Sequence, residues 1–104
     1  MTEKKQSIKT QPQSLEAEKA VLGCMLIDPE AVPRALHLLT EHSFFSKSHL
    51  FVYQAILNLF EKNISIDNIS VTDELEKTGK LEQVGGAYFI TGLSSDAPTA
   101  SNVE

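Results

Sequence analysis

The feature that most constrains this chain of 104 residues is a helical stripe of large apolar side chains between residues 47 and 62. The residues recur at i, i+3, i+6, i+7 and i+10, namely Leu50, Tyr53, Ile56, Leu57 and Phe60. That spacing places them on one face of an α-helix, whereas a half-buried strand would alternate. We therefore predict a helix over 47–62, with Ser46 as N-cap and Asn63, which tolerates a left-handed backbone, at the C-terminal end.

A second helix is predicted within the run from Pro12 to Pro29. Ser14 has N-cap chemistry, and Glu16 and Glu18 would lie near the positive end of the helix dipole. Apolar residues cover most sides of 15–27, so we predict that this is the central, most buried helix. Its expected core stripe is Ala17, Ala20, Val21 and Cys24, widened by Leu15, Leu22, Met25 and Leu26.

Shorter helices are predicted for the rest of the chain. Asp28 and Pro29 indicate a helix that either starts near Val32 with Pro33 in its first turn or has an irregular beginning. Further along we predict an aromatic plug at Phe44-Phe45, a helix Val71–Lys77 capped by Ser70 with Asp73, a stop at Gly79, a turn at 81–84, a helix 87–93, a loop 94–99 and a helix start at 101–104. The expected fold is all-α, a small orthogonal bundle of five to six short helices.

Length and charge limit the possible domain organisation and the possible partners of the chain. The chain is expected to form one domain over 12–104 behind a disordered tail over 1–11. From residue 11 onward there are 6 basic and 13 acidic residues. Such a surface repels a phosphate backbone, so we expect no direct nucleic-acid binding and favour a basic partner. No apolar run approaches the roughly 20 residues of a membrane span, and no signal peptide is evident, which fits a cytoplasmic protein.

A search for chemistry finds no active site. Gly79-Lys80 lacks the Ser or Thr and the first glycine of a phosphate loop, and Gly85-Gly86 lacks the strand and third glycine of a dinucleotide fold. The histidines at 37, 42 and 49 show no zinc-ligand spacing with one another, with Cys24 or with Glu41. We expect structural or solvated histidines, with His49 capping a helix or solvated, and a packing role for Cys24.

The acidic cluster Asp73, Glu74 and Glu76 could supply catalytic carboxylates, but its expected place in a first helical turn explains the acids through the helix dipole. We therefore predict that this chain is not an enzyme and has no catalytic residue, metal or cofactor.

Three motifs in a fixed order carry a family resemblance over about residues 12–104. They are Pro12-Gln-Ser-Leu-Glu-Ala-Glu18 through Val21-Leu-Gly23 to Asp28-Pro29; Phe44-Phe45 and His49 through the Phe51-x-x-Gln-Ala-Ile-Leu-x-Leu helix to Ile66-Asp67; and Leu75-Glu76, Gly79, Leu81, Val84-Gly-Gly86 and Leu93, followed by Ala97 to Val103. Together they resemble the N-terminal domain of bacterial replicative DNA helicases of the DnaB family.

The resemblance implies a helical head without catalytic activity, since the ATP-binding loops of such helicases lie in a separate C-terminal motor domain. It implies a collar on a six-membered ring, paired as a trimer of dimers, that contacts primase and in some bacteria a helicase loader. The family starts a helical hairpin at the positions of Asn102 to Glu104, so we expect a chain trimmed to the globular head.

Tyr88 and Phe89 are the candidate self-association residues, because aromatic side chains are enriched at interfaces. The family commonly has a tyrosine at the position of Phe89, and here Tyr88 precedes it. The alternative is that both aromatic residues simply close the core.

Two other functions stay open. One is the helicase-binding domain of a primase, which the resemblance implies shares this helical fold, although that domain should end a long chain. The other is a small all-α DNA-binding regulator. A helix-turn-helix reader needs a recognition helix with polar or basic side chains, and the chain has one arginine, Arg34, and no helix with a basic face.

Overall fold

The computed structural model describes residues 15–96, and the regular structure in that part of the chain is entirely helical. It contains α1 Leu15–Ile27, α2 Ala31–Leu38, α3 Lys47–Glu61, α4 Asn68–Lys77, α5 Leu81–Val84 and α6 Gly86–Ser95, with a 3-10 turn at Glu41–Ser43. The predicted all-α bundle of five to six short helices is confirmed. The expected tail at 1–11 and the expected helix start at 101–104 lie outside the described residues.

The helices close into a ring around one core. Helix α1 packs against α3, α3 against α4, α4 against α6 and α6 back against α1, while α5 fills the space between α3, α4 and α6. The most enclosed side chains come from every α-helix except α5, namely Leu22, Met25, Val32, Val52, Ile56, Val71, Leu75, Ile90 and Leu93. Within residues 15–96 no helix is long and apolar enough to span a membrane.

The predicted core stripe of α1 is corrected. Leu15 and Ala17 are exposed, and the other residues of the expected 3.6-residue stripe, Ala20, Val21 and Cys24, are only half-buried. The buried face is formed by Leu22, Met25 and Leu26, which were predicted only to widen the stripe, together with Glu18 and Gly23. Helix α1 therefore buries only one of its faces. Helix α3 is at least as central, since it buries residues against α1, α4 and α5.

The first helix junctions follow the expected chemistry in part, since α2 begins at Ala31 after Glu30 rather than at Asp28-Pro29. Asp28 Oδ1 accepts a hydrogen bond from the Glu30 amide at 3.0 Å, and Pro33 lies in the first turn of α2. Ser46 caps α3 by accepting from the amide of His49 at 3.3 Å. After α3 the chain turns through Asn63 at φ 62°, the left-handed conformation predicted for this residue.

Helix α4 starts earlier than predicted. Its N-cap is Asp67, whose Oδ1 accepts from the Ser70 amide at 2.8 Å, while Ser70 Oγ accepts from the Asp67 amide at 3.0 Å. The predicted cap at Ser70 with Asp73 is therefore wrong, because Ser70 is the reciprocal partner three residues inside the helix. Asp73 and its acidic neighbours consequently lie beyond the first turn, where the helix dipole does not explain them.

Two connections also differ from the prediction. Phe44 is buried and packs on Tyr53 with ring centroids 5.1 Å apart, but Phe45 is 85% exposed, so only half of the expected aromatic plug fills the core. Helix α6 continues to Ser95, and Ser94 Oγ donates back to the Thr91 carbonyl at 3.0 Å. The predicted loop therefore does not begin at Ser94, because that hydroxyl bonds within the last turn of the helix.

Candidate functional site

The two aromatic residues predicted for self-association lie at the start of α6. Gly85 and Gly86 turn the chain from α5 into α6 with φ of +111° and +80°. A Cβ on Gly85 would lie 3.3 Å from Phe89 Cβ, so the absence of a side chain lets α6 settle against this turn. The double glycine thus sets the direction in which the next residues point.

Tyr88 and Phe89 face different surroundings. The side chain of Tyr88 is 89% exposed, whereas Phe89 is half-buried and packs against the core. The Phe89 ring stacks on the His49 imidazole, with centroids 5.9 Å apart and planes inclined by 27°. Phe89 therefore helps to close the core, whereas Tyr88 does not. A role of either residue in self-association stays a prediction.

An open groove of about 280 Å³ runs along the outer side of α6. It is lined by Lys19, Gly85, Tyr88, Phe89, Gly92, Leu93 and Asp96. Lys19 Nζ and Asp96 Oδ2 are 3.6 Å apart at its edge, which ties α1 to the end of α6. The groove therefore offers an apolar wall, one projecting phenol and a mixed-charge rim.

Beneath this aromatic turn lies a buried Glu18–His49 pair that joins α1 to α3. Glu18 Oε1 is 2.8 Å from His49 Nδ1, and both side chains are 6% exposed. The same carboxylate accepts from the backbone amides of Phe45 at 2.7 Å and Ser46 at 3.3 Å. Three donors therefore satisfy this buried acid, which also holds the start of α3 in place.

The Glu18–His49 pair is positioned to hold structure. Phe89 covers a face of the imidazole, and the carboxylate oxygens are occupied by the ring and by two backbone amides. The carboxylate therefore contacts groups of the domain itself, and the pair indirectly seats α6 through Phe89.

Sequence reasoning missed this pair. Glu18 was predicted as an acid near a helix start, and the prediction that His49 caps a helix or stays solvated is wrong for its side chain. One signal was available: Glu18 precedes Leu22 by four residues and Met25 by seven, which places it on the apolar face that becomes buried.

The other candidate groups do not converge on a site. Within residues 15–96 no three His, Cys, Asp or Glu side chains are arranged to hold a metal ion. Of the acidic cluster, Glu74 is buried and bonded to Asn58 Nδ2 at 3.3 Å and Lys62 Nζ at 3.4 Å, whereas Asp73 pairs with Lys77 at 3.4 Å. These carboxylates serve separate local contacts.

One tyrosine has a perturbed acidity. Burial of Tyr53, and secondarily the negative charge of Glu41, raises the pKa of its phenol above the usual value of 10.0. The hydroxyl donates to the Leu39 carbonyl at 3.2 Å, which anchors the segment after α2 to α3. Tyr53 therefore belongs to the scaffold, away from the α6 groove.

Comparison with known proteins places this arrangement in a family. A family model described as the DnaB-like helicase N terminal domain matches residues 10–104. The replicative DNA helicase DnaB of Rhodothermus marinus is 47% identical over 93 residues, which is 89% of this chain and 10% of that protein. The replicative DNA helicase DnaC of Bacillus subtilis (strain 168) is 40% identical over 93 residues, again 89% of this chain and 20% of that protein.

A solved structure agrees with the fold. The crystal structure of the N-terminal domain of DnaB helicase from Mycobacterium tuberculosis superimposes with a TM-score of 0.82 at 40% identity, covering 88% of this chain and 66% of that chain. The chain thus spans between 10% and 20% of the length of the two helicases above. From these matches, the chain belongs to the DnaB-like helicase N-terminal domain family.

Proposed function

We propose that this chain is the assembly and partner-docking domain of a hexameric replicative DNA helicase, without catalytic activity of its own. In the full-length protein it contributes to self-association of the ring and binds primase and, where one exists, a helicase loader. ATP-dependent unwinding of DNA belongs to a motor domain elsewhere in that protein, which acts in the cytoplasm. The family match and the small share of each relative that the chain spans support this division of labour.

The observation that carries the proposal is the exposed phenol of Tyr88 on a rigidly seated helix start. A phenol that is almost fully exposed contributes little to the core of its own domain, and tyrosine is among the residues that dominate binding energy at interfaces. Phe89 and the Glu18–His49 pair hold the turn beneath it. Such preorganisation lowers the entropy lost when a partner binds.

Charge favours protein partners over nucleic acid. Residues 15–96 contain 6 basic and 12 acidic residues, a balance of 6 − 12 = −6. Affinity for DNA rests mainly on cationic side chains that neutralise phosphates, and this surface has few of them. A DNA-binding regulator is therefore disfavoured, and contact through a basic protein surface is supported.

Sedimentation velocity on this chain, alone and with primase, tests the proposal. We expect Tyr88→Ala to weaken self-association or primase binding about tenfold, the scale of an aromatic anchor. Phe45→Ala is the matched control, because Phe45 is similarly exposed but comes from the connection before α3.

Three results would contradict the proposal. One is that Tyr88→Ala and the Phe45→Ala control have the same effect on sedimentation, both of the chain alone and of the chain with primase. The second is ATP hydrolysis by this chain alone. The third is tight, salt-sensitive binding to duplex DNA, which would support the regulator instead.

A further inference from the structure

A second exposed surface lies on α4, around Ile69. Ile69 is the second residue of the helix, and its side chain is 81% exposed. Open grooves of about 370 Å³ lie on either side of it, one reaching Ile27 at the end of α1 and the other reaching Ala87 and Thr91 on α6. We call Ile69 and these two grooves the Ile69 surface.

The charged groups of the Ile69 surface are all acidic. Asp67 lines the first groove, and Asp73 and Glu76 line the second, whereas no Lys, Arg or His lines either groove. Outside the grooves, Lys77 pairs with Asp73 at 3.4 Å in an exposed contact. An exposed apolar side chain is thus flanked by carboxylates on both sides.

Asn68 lies where the two grooves meet and bonds α4 to α6. Ser94 Oγ donates its proton to the Thr91 carbonyl, so it must accept from Asn68 Nδ2, at 3.0 Å. That bond fixes the amide orientation and turns Oδ1 away from Ser94. Among the buried side-chain nitrogen and oxygen atoms of the described residues, Asn68 Oδ1 is the one without a hydrogen-bond partner.

These features define the complementary partner. The exposed Ile69 side chain favours an apolar contact, and the carboxylates on both flanks favour cations. A second copy of this chain would bring like charge, since acidic residues outnumber basic ones two to one in 15–96. A nucleic acid would bring phosphates to the same carboxylates.

We propose that the Ile69 surface is a second docking site, which takes an amphipathic helix of a basic partner protein. The partner's apolar stripe covers Ile69, and its Lys or Arg side chains on both flanks approach Asp67, Asp73 and Glu76. The inference rests on the proposed docking function and deepens it, because it names the chemistry of one partner at a place separate from Tyr88.

The test is an NMR titration of the isotope-labelled chain with a synthetic helical peptide that carries leucines on one face and lysines on both flanks. We expect amide shifts to cluster at Ile69, Thr72, Thr91 and Ser94. Ile69→Ser should raise the peptide Kd about tenfold, the scale of losing one buried aliphatic side chain. Glu76→Lys should raise it about threefold, as for an exposed ion pair.

Matched controls lie at the end of α3 and in the connection after it, outside both grooves. Ile64→Ser removes a half-exposed isoleucine that lines neither groove, and Glu61→Lys reverses an exposed acid on α3. Both should leave the peptide Kd unchanged, as should Tyr88→Ala. All these substitutions are at exposed positions, so the fold is expected to persist, and circular dichroism verifies it.

Several outcomes overturn the inference: equal binding of a peptide with glutamates in place of lysines, shifts confined to other residues, or equal loss in the Ile64→Ser control. Shifts of the Ile69 surface that depend on protein concentration without peptide would assign it to a second copy instead. If the peptide fails while Tyr88→Ala still weakens primase binding or self-association, only this second site is rejected and the proposed function stands.

Discussion

Two buried carboxylates, Glu18 and Glu74, stabilise this domain in different ways. Glu18 is held by two backbone amides and by a histidine that is as buried as itself. Glu74 is held by Asn58 and by Lys62, whose side chain is 54% exposed. Glu18 also joins segments that are 27 to 31 residues apart, whereas the partners of Glu74 are 12 to 16 residues away.

The difference shows that two parts of one small domain can differ in rigidity. Backbone amides and a packed imidazole cannot separate from Glu18 unless the domain unfolds, so the contacts of Glu18 are fixed in one geometry. A lysine that is half in water exchanges its carboxylate for solvent at little cost. The rigid pair lies beneath the aromatic turn of α6, whereas the adaptable pair lies between α3 and α4.

The largest expected effect is the loss of Glu18. Glu18→Ala should lower the free energy of unfolding by about 3–5 kcal/mol, since it leaves a buried histidine and two part-buried amides without an acceptor. Glu18→Gln should cost about 1–2 kcal/mol, because one amide oxygen still accepts. Urea unfolding followed by circular dichroism measures both, and Glu16→Ala, an exposed neighbour in the same helix, is the control. Equal stabilities of Glu18→Ala and Glu16→Ala would refute the structural importance of the pair.

The next effect concerns the turn above that pair. Gly85→Ala should cost about 2–3 kcal/mol, because φ of +111° is strained for an L-residue and its Cβ meets Phe89 at 3.3 Å. Gly86→Ala is the matched control at about 1 kcal/mol, since its φ is also positive but no atom lies within 4 Å. Thermal unfolding compares the two, and equal losses would show that the contact with Phe89 does not matter.

Double-mutant cycles sharpen the comparison directly. The coupling energy between Glu74 and Lys62 should be below about 1 kcal/mol and should shrink in high salt, because the lysine is half-exposed. The coupling between Glu18 and His49 should be larger and insensitive to salt. Similar coupling energies and salt responses for the two pairs would abolish the distinction between them.

The smallest expected effect appears at high pH. Because burial raises the pKa of Tyr53, the unfolded chain releases this proton near pH 10 while the native chain retains it. This contribution to stability is therefore complete below pH 10 and is lost as the pH rises toward the folded pKa. Tyr53→Phe should flatten the decline in urea stability above pH 10, whereas Tyr88→Phe, at an exposed phenol, should not. The same decline in Tyr53→Phe as in the unaltered chain would exclude this phenol as the cause.

The long helices were predictable because their apolar period is strong. The bounds of α1 match the prediction, and α3 ends one residue earlier than predicted. The buried face of α1 was not predictable from its period, because two stripes fit equally well. Burial of Leu22, Met25 and Leu26 removes more apolar area from water than burial of Ala17 and Ala20, so the larger side chains turn inward and bring Glu18 with them.

Other details depend on competition between equal local signals. Asp67 and Ser70 are both good N-caps, and the reciprocal bond pair decides for the earlier one. Tyr88 and Phe89 are neighbours on one helix, about 100° apart, so composition does not say which of them turns inward. The turn at Gly85 and the imidazole of His49 decide that, and both depend on contacts far apart in the chain.

The contact between α1 and α6 has a consequence for synthesis. These are the first and last helices described, and the ring of helices is complete only when they meet. The N-terminus leaves the ribosome first, so α1 is outside the exit tunnel before α2 to α5 have emerged. During that time part of the apolar face of α1 is exposed to water. The native core therefore forms only after Ser95 has cleared the tunnel, and a nascent chain stalled before α6 would present its hydrophobic surface to chaperones.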